Sequence, residues 1–193
     1  MLNKFILPQD KKIFNEVWVL AFPVIVSNLS RVLMSLVDVA MVGRLGPEAL
    51  AAAGMGGMLV WGALSIMLGV RTSVQTVSSR RIGQNKTKDC VKALNNGFLM
   101  ATIYSIPVSL VCWFFGFVII PLFVVDEITT PLAISYFSIS SLGLFFNSIS
   151  FVFQGFFTGI EKTKVLLSVT ISSNIINIYF NIGLIYGKNF ISK

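Results

Sequence analysis

Residues 93–120, ALNNGFLMATIYSIPVSLVCWFFGFVII, decide the fold class of this protein. The run exceeds the roughly 20 mainly apolar residues that a helix needs to cross the hydrocarbon core of a bilayer. Similar apolar runs recur along the chain. They are long and do not alternate with polar residues, which favours helices over barrel strands. The sequence therefore predicts an all-α, polytopic membrane helix bundle.

We expect five membrane spans, separated by segments with turn and charge signals. They cover residues 17–42, 50–77, 93–120, 132–158 and 165–186. Residues 1–16 are expected to form a cytoplasmic N-terminal segment without a cleavable signal peptide, because the first apolar run is too long for one and no small-residue cleavage site follows it. The second span is rich in glycine and alanine, which predicts close helix packing.

The composition excludes several classes of protein. Of 193 residues, 55% are hydrophobic and 12% are charged, against a usual charged share of roughly a quarter. A soluble chain of this size could not bury so much apolar surface, and a disordered one would not carry it. The chain has no histidine, which removes His-ligated metal sites and His-based catalytic triads. We therefore expect neither an enzyme, nor a metal centre, nor an organic cofactor.

The net charge of +7 predicts membrane topology rather than nucleic-acid binding. With the N-terminus inside, the outer segments hold Arg44, Lys188 and Lys193, and Arg31 and Arg71 lie within spans. The ten other basic residues lie on inner segments, namely Lys4, Lys11, Lys12, Arg80, Arg81, Lys86, Lys88, Lys92, Lys162 and Lys164. This bias predicts a multi-pass protein of the cell (inner or plasma) membrane, with its N-terminus in the cytoplasm and its C-terminus outside.

Asp38 is the one acidic residue inside a predicted span. An ionisable side chain at this depth costs roughly 2.5–3.5 kcal/mol on the insertion scale, so its presence needs a reason. A desolvated carboxyl group is suited to exchanging a proton or an alkali cation for another charge. The alternative is an aspartate at the helix end that is solvated or pairs with Arg44.

Two other residues of the first span bear on this hypothesis. Pro23 removes a backbone hydrogen bond, so it either bends the helix or is a tolerated first-turn residue. Arg31 shares a helix face with Asp38 at a distance of about 10 Å. It either tunes that carboxyl group through a polar cavity or packs against carbonyl groups or a neighbouring helix. We expect Ser27, Arg31, Ser35 and Asn174 to line such a cavity.

The fifth span carries Asn174, Asn177 and Asn181 at spacings of three and four, which predicts one polar stripe. Asparagine side chains in a membrane can hold helices together by hydrogen bonds. Their carbonyl oxygens can also bind a hard cation. Both interpretations remain open from the residues alone.

Several segments, taken in order, resemble the multidrug and toxic compound extrusion (MATE) transporters and look closest to their DinF-like branch. They are PVIVSNLS at 23–30, VDVAMVGRLG at 37–46, LAAAG at 50–54, SRRIGQN at 79–85, GFFTGIEKTK at 155–164 and NIINIYFN at 174–181. The resemblance implies twelve helices in two six-helix lobes and export of small organic, often cationic compounds against inflow of protons or sodium. It also implies that Asp38 takes the coupling cation, that Pro23 permits a helix bend and that Asn177 is a polar partner.

The chain departs from the family pattern in two ways. Asn181 stands where the family has an aspartate; with Arg31 nearby, this favours proton coupling through Asp38 over a sodium site. The chain also stops after the fifth span. Residues 17–193 are therefore expected to be a partial N-terminal lobe of about five of its six helices, completed by a second-half chain or by a homodimer. The alternatives are a non-transporting remnant or subunit of a split transporter, or a lipid-linked flippase of the same superfamily.

Overall fold

The computed structural model describes residues 11–190, apart from the side chains of Lys12 and residues 185–190. The first ten residues of the predicted N-terminal segment, and residues 191–193, lie outside this part. The described helices are α1 (Lys11–Gly43), α2 (Pro47–Gly83), α3 (Thr87–Ile119), α4 (Thr129–Leu142), α5 (Leu144–Gly159) and α6 (Thr163–Phe190). A short 3-10 helix, Ile120–Leu122, extends α3. The all-α prediction is confirmed.

Four of these helices, α1, α2, α3 and α6, are long and apolar enough to cross a membrane, and α4 with α5 forms a bent fifth candidate. The prediction of one unbroken helix over residues 132–158 is wrong. The two helices meet at Gly143 with a bend of 48°. There the Gly143 N–H bonds to the Ser140 carbonyl at 3.0 Å, a three-residue step that tightens the last turn of α4.

Polar side chains brace the bend. The Ser109 hydroxyl of α3 donates to the Ser141 carbonyl at 2.6 Å. The Asn147 backbone N–H and side-chain amide both donate to the Gly143 carbonyl, at 3.0 and 3.1 Å. A break at membrane depth is tolerated where such groups satisfy the freed backbone.

The helices also reach beyond the predicted spans, so their connections are short. Only residues 84–86 separate α2 from α3, and only residues 160–162 separate α5 from α6. The two turns share a sequence pattern, GQNKTK at 83–88 and GIEKTK at 159–164, and their third residues are both left-handed, with φ 56° at Asn85 and 62° at Glu161. Hydropathy alone missed these polar helix ends because it detects only the apolar part of a helix.

The turn before α4 is fixed by an aspartate. The Thr129 N–H donates to Asp126 Oδ2 at 2.8 Å. Hydrogen bonds from the Thr129 side chain and backbone lower the pKa of Asp126 below its usual value. The carboxylate therefore satisfies a backbone N–H of the first turn of α4, as acidic caps do.

The described residues divide into two compact units: residues 37–160 form one, and residues 11–36 and 161–190 belong to the other. The core of unit 37–160 lies between α2, α3 and α5, where the buried residues are Leu64, Met67, Val74, Ala101, Leu144, Phe151 and Val152. A second cluster lies around the 3-10 helix and α4, with Ala52, Ile120, Val124, Ala133 and Phe137 buried.

Glycines of α5 let its backbone come into direct contact with the backbone of α2. A β-carbon added at Gly159 would lie 2.6 Å from the Gln75 carbonyl oxygen and 2.9 Å from Ser78 Cβ. One turn earlier, Gly155 lies against the Arg71 carbonyl in the same way. Such small residues at a four-residue spacing allow close helix packing in membranes.

The prediction of close packing by the small residues of α2 is confirmed only in part. Ala52 is buried, and a β-carbon at Gly56 would lie 2.6 Å from Tyr136 Cδ1. At Gly54, Gly62 and Gly69, in contrast, a β-carbon would meet nothing within 4 Å. For these three glycines close packing is the wrong explanation.

Candidate functional site

Pro23 lies inside α1, twelve residues after its start at Lys11, and it is buried. The first-turn interpretation of this proline is therefore wrong. A proline has no N–H, so Pro23 cannot donate to the carbonyl of Val19, four residues earlier. The Ser27 hydroxyl, itself buried, donates to the Pro23 carbonyl at 2.7 Å. The helix assignment continues through this point, and the helix-bending role of Pro23 stays a prediction.

Asn174 joins α6 to α1. Its side-chain amide donates to the Ser30 hydroxyl at 2.8 Å and to the Ser30 carbonyl at 3.2 Å. Both residues belong to the same compact unit. For Asn174 the geometry is that of an interhelical hydrogen bond. Ser30 is a contact that the sequence analysis did not identify, because a serine on an apolar helix carries no signal of its partner.

Asn177 and Asn181 form a pair within α6. The Asn181 side-chain amide donates to Asn177 Oδ1 at 2.8 Å, one turn away. Asn177 is exposed and Asn181 is half-buried. The predicted stripe is thus divided between an amide that binds α1 and two amides that bind each other. The cation-binding role of this pair stays a prediction.

Asp38 is half-buried and lies five residues before the end of α1 at Gly43. It belongs to unit 37–160, whereas Arg31 and Ser35, both exposed, belong to the other unit. The coupling role of Asp38 and the cavity-lining roles of Ser27, Arg31, Ser35 and Asn174 stay predictions.

Within residues 11–190 no group of three or more cysteine, aspartate and glutamate side chains could hold a metal ion.

A polar stripe on α2 was missed by the sequence analysis. It consists of exposed small and hydroxyl residues at spacings that alternate between three and four, namely Gly62, Ser65, Gly69, Thr72, Thr76, Ser79 and Gly83. Four of its hydroxyls donate to carbonyls of their own helix, at 2.7 to 3.4 Å. The alternating spacing was visible in the sequence and could have revealed one helix face.

A cavity of about 400 Å³ opens beside the first turns of α1. Asn15, Glu16, Val19, Leu20 and Glu161 line it. All five belong to the same compact unit. Two carboxylates thus lie beside apolar side chains, and Lys162 and Lys164 follow Glu161 in the same turn.

Comparison with known proteins gives a family match over most of the chain. The family model MatE matches residues 23–182. The chain is similar to the probable multidrug resistance protein NorM of Photorhabdus laumondii, with 31% identity over 174 residues, which is 87% of this chain and 37% of the relative. The protein of the same name from Idiomarina loihiensis is 27% identical over 183 residues, or 93% of this chain and 38% of the relative. The chain thus spans a little over a third of the length of these curated relatives.

Solved structures agree in fold. A transporter of the MOP superfamily from Pyrococcus furiosus superposes with a TM-score of 0.84 at 20% sequence identity. An outward-facing multidrug resistance transporter of the MATE family within the MOP superfamily gives the same TM-score and identity. Each match covers 91% of this chain and 39% of the other chain. At this identity the likeness concerns the fold alone.

Proposed function

Because this chain belongs to the MatE family, we propose that it is the N-terminal part of a cation-coupled transporter that exports small organic, often cationic, compounds. The observation that carries the proposal is the polar stripe of α2 within a helix long and apolar enough to span a membrane. The hydroxyls of the stripe donate to carbonyls of their own helix, and polar surface that remains at membrane depth is better accommodated by protein or water than by lipid. A water-filled export path would supply that environment.

The proposed substrate class follows from charge. Glu16 and Glu161 line the cavity beside α1. The relatives from Photorhabdus laumondii and Idiomarina loihiensis are both named as probable multidrug resistance proteins. Carboxylates beside apolar walls can accept a positive charge and an apolar surface without fixing one molecular shape, and Lys162 and Lys164 beside Glu161 offset part of that attraction. This is the recognition that a multidrug exporter of organic cations requires.

The proposed coupling ion is the proton, and Asp38 is its carrier. A carboxyl group can bind and release a proton, whereas the amide of Asn181 cannot titrate. With an amide in place of the family's second carboxylate, less negative charge is available for sodium. Sodium coupling through Asp38 is the competing outcome of the transport test below.

The proposed assembly includes a second lobe, supplied by another chain or by a second copy of this one. The relatives are more than twice as long as the matched region. We also propose the DinF-like branch and the N-terminus-inside orientation, on the resemblance and the distribution of basic residues described above.

The polar stripe can be tested by chemical accessibility. Single cysteines at Ser65, Thr72 and Thr76 would be introduced into a chain in which Cys90 and Cys112 are replaced by serine. We expect a membrane-impermeant maleimide to label them at least about tenfold faster than cysteines at Ile66 and Ile103, which are also exposed but apolar. Equal labelling of both sets would mean that the stripe faces lipid or protein, and the export path along α2 would be abandoned.

The coupling role can be tested with Asp38→Asn. In proteoliposomes that contain the chain with a candidate second half, we expect this variant to abolish dye efflux driven by a proton gradient while its membrane insertion is unchanged. Glu48→Gln, the same chemical change in the first turn of α2, is the matched control and should transport normally. Proton-driven efflux that survives in Asp38→Asn would refute the carrier role of Asp38. Efflux that the unmodified protein shows only with a sodium gradient would mean that sodium, not the proton, is the coupling ion. If no partner chain gives efflux, a non-transporting subunit is favoured.

A further inference from the structure

A dense basic patch lies where α2 meets α3. It comprises five residues within positions 80–92, namely Arg80, Arg81, Lys86, Lys88 and Lys92. The same segment holds one acid, Asp89, so its net charge is 5 − 1 = +4. Arg81 is half-buried and the other four basic residues are exposed. Five of the chain's fifteen lysines and arginines are thus concentrated in the end of α2, the turn and the start of α3.

The patch is held by a rigid turn. The Lys86 N–H donates to the Arg81 carbonyl at 2.9 Å, and the Arg81 guanidinium donates to Gln84 Oε1 at 3.1 Å. Beneath the turn, the buried Cys90 thiol approaches the Ser78 carbonyl at 3.5 Å and the Lys86 carbonyl at 3.7 Å. The basic side chains therefore project from a fixed backbone, which lowers the entropy lost when they bind a partner.

The acid in the patch is already engaged. Lys92 Nζ lies 2.9 Å from Asp89 Oδ1. This pair offsets one positive and one negative charge and leaves Arg80, Lys86 and Lys88 with no further acid in the segment. Their combined field attracts an anion, and several cations on one surface suit a layer of anionic groups.

Exposed apolar side chains next to the basic patch indicate which class of anion it binds. Val77 and Val91 are exposed beside it, at 42% and 51%. A lipid places a charged phosphate above an acyl chain, so it contacts cations and apolar side chains together, whereas a nucleic acid would leave the valines in water. We propose that the basic patch binds the headgroups of anionic phospholipids.

The α5–α6 turn provides a built-in comparison. It repeats the pattern and the left-handed third residue, and it carries Lys162 and Lys164 at the positions of Lys86 and Lys88. However, Glu161 replaces Asn85, and no arginine precedes the turn, so the net charge of residues 159–164 is 2 − 1 = +1. The same two lysines thus stand in a much weaker field.

The test measures lipid binding to the purified full chain in detergent by native mass spectrometry, with phosphatidylglycerol and phosphatidylcholine as probes. We expect phosphatidylglycerol to bind at least about tenfold more tightly. Lys86→Gln with Lys88→Gln should weaken phosphatidylglycerol binding roughly 25-fold, or about fivefold for each lysine. Lys162→Gln with Lys164→Gln removes the same charge from the matching turn and should weaken it less than about threefold. Lys86→Arg with Lys88→Arg should retain binding.

Three results would overturn the proposal. Equal binding of the two lipids would remove the preference for anionic headgroups. Equal losses in the two glutamine double variants would show that binding follows net charge rather than this patch. Full competition by inorganic phosphate at concentrations equal to the lipid would indicate a site for a free anion. An unchanged thermal unfolding midpoint in the glutamine variants confirms that a loss of binding is not a loss of fold.

Discussion

Two helix contacts in this chain are built in opposite ways. In unit 37–160, α2 and α5 meet through Gly155 and Gly159, whose missing side chains let the backbones touch. In the other unit, α1 and α6 are joined by the Asn174 amide on Ser30. None of the residues in the apolar window of α6 is buried, whereas α2, α3 and α5 share a buried core.

The difference concerns what can hold helices together in lipid. Apolar side chains gain little by leaving lipid tails for one another, so association depends on close van der Waals contact and on hydrogen bonds. Glycine contact spreads the attraction over many atoms and resists displacement. A single amide bond is directional and can be broken at small cost. We infer that the α2–α5 contact is a scaffold and that the α1–α6 contact is the more easily changed of the two.

Gly159→Ala should have the largest effect on stability. The new β-carbon would lie 2.6 Å from the Gln75 carbonyl oxygen, and a helix backbone cannot move aside without separating α2 from α5. Overpacking of this kind costs about 1–3 kcal/mol, and we expect the upper end of that range. The measurement is reversible unfolding of the purified chain in mixed micelles.

The control is Gly69→Ala, the same substitution on the exposed face of α2, where a β-carbon meets nothing within 4 Å. It should be neutral or stabilise the helix by up to about 1 kcal/mol, because alanine is the better helix former. Changes of opposite sign in the free energy of unfolding for Gly159→Ala and Gly69→Ala would support the α2–α5 contact as a scaffold. Equal effects would mean that the glycines matter through helix propensity alone.

Asn174→Ala should have a smaller effect, about 0.6 kcal/mol, which is typical of hydrogen bonds between membrane helices. Hydrogen exchange of the α6 backbone amides should be faster in this variant, because the contact with α1 is weaker. Asn177→Ala removes a hydrogen bond within α6 only and should leave α6 exchange nearly unchanged. If Asn174→Ala lowered the free energy of unfolding as much as Gly159→Ala does, the α1–α6 contact would be a scaffold as well.

The comparison also explains which predictions held. The five apolar runs led directly to the all-α membrane fold, and the polar stripe of α6 was located from its spacing. The bend at Gly143 was not predicted, because residues 132–158 were interpreted as one continuous apolar span and Ser109, which bonds to the Ser141 carbonyl at the break, comes from a distant part of the chain. Gly54, Gly62 and Gly69 of α2 were misread as packing residues, because glycine fits both a tight contact and an open face.

Hydropathy and charge were sufficient to determine from the sequence that this chain is a helical membrane protein with basic residues gathered in a few turns. Both are properties of a single residue and its solvent, so they can be taken directly from the sequence. The tertiary structure alone decided which glycines touch another backbone, where the fourth span breaks, and that Asn174 binds Ser30 while Asn177 binds Asn181. Apart from the Asn177–Asn181 pair, which lies within one helix, these outcomes depend on distances between segments far apart in the chain. Residue type and spacing restrict those distances but do not specify them.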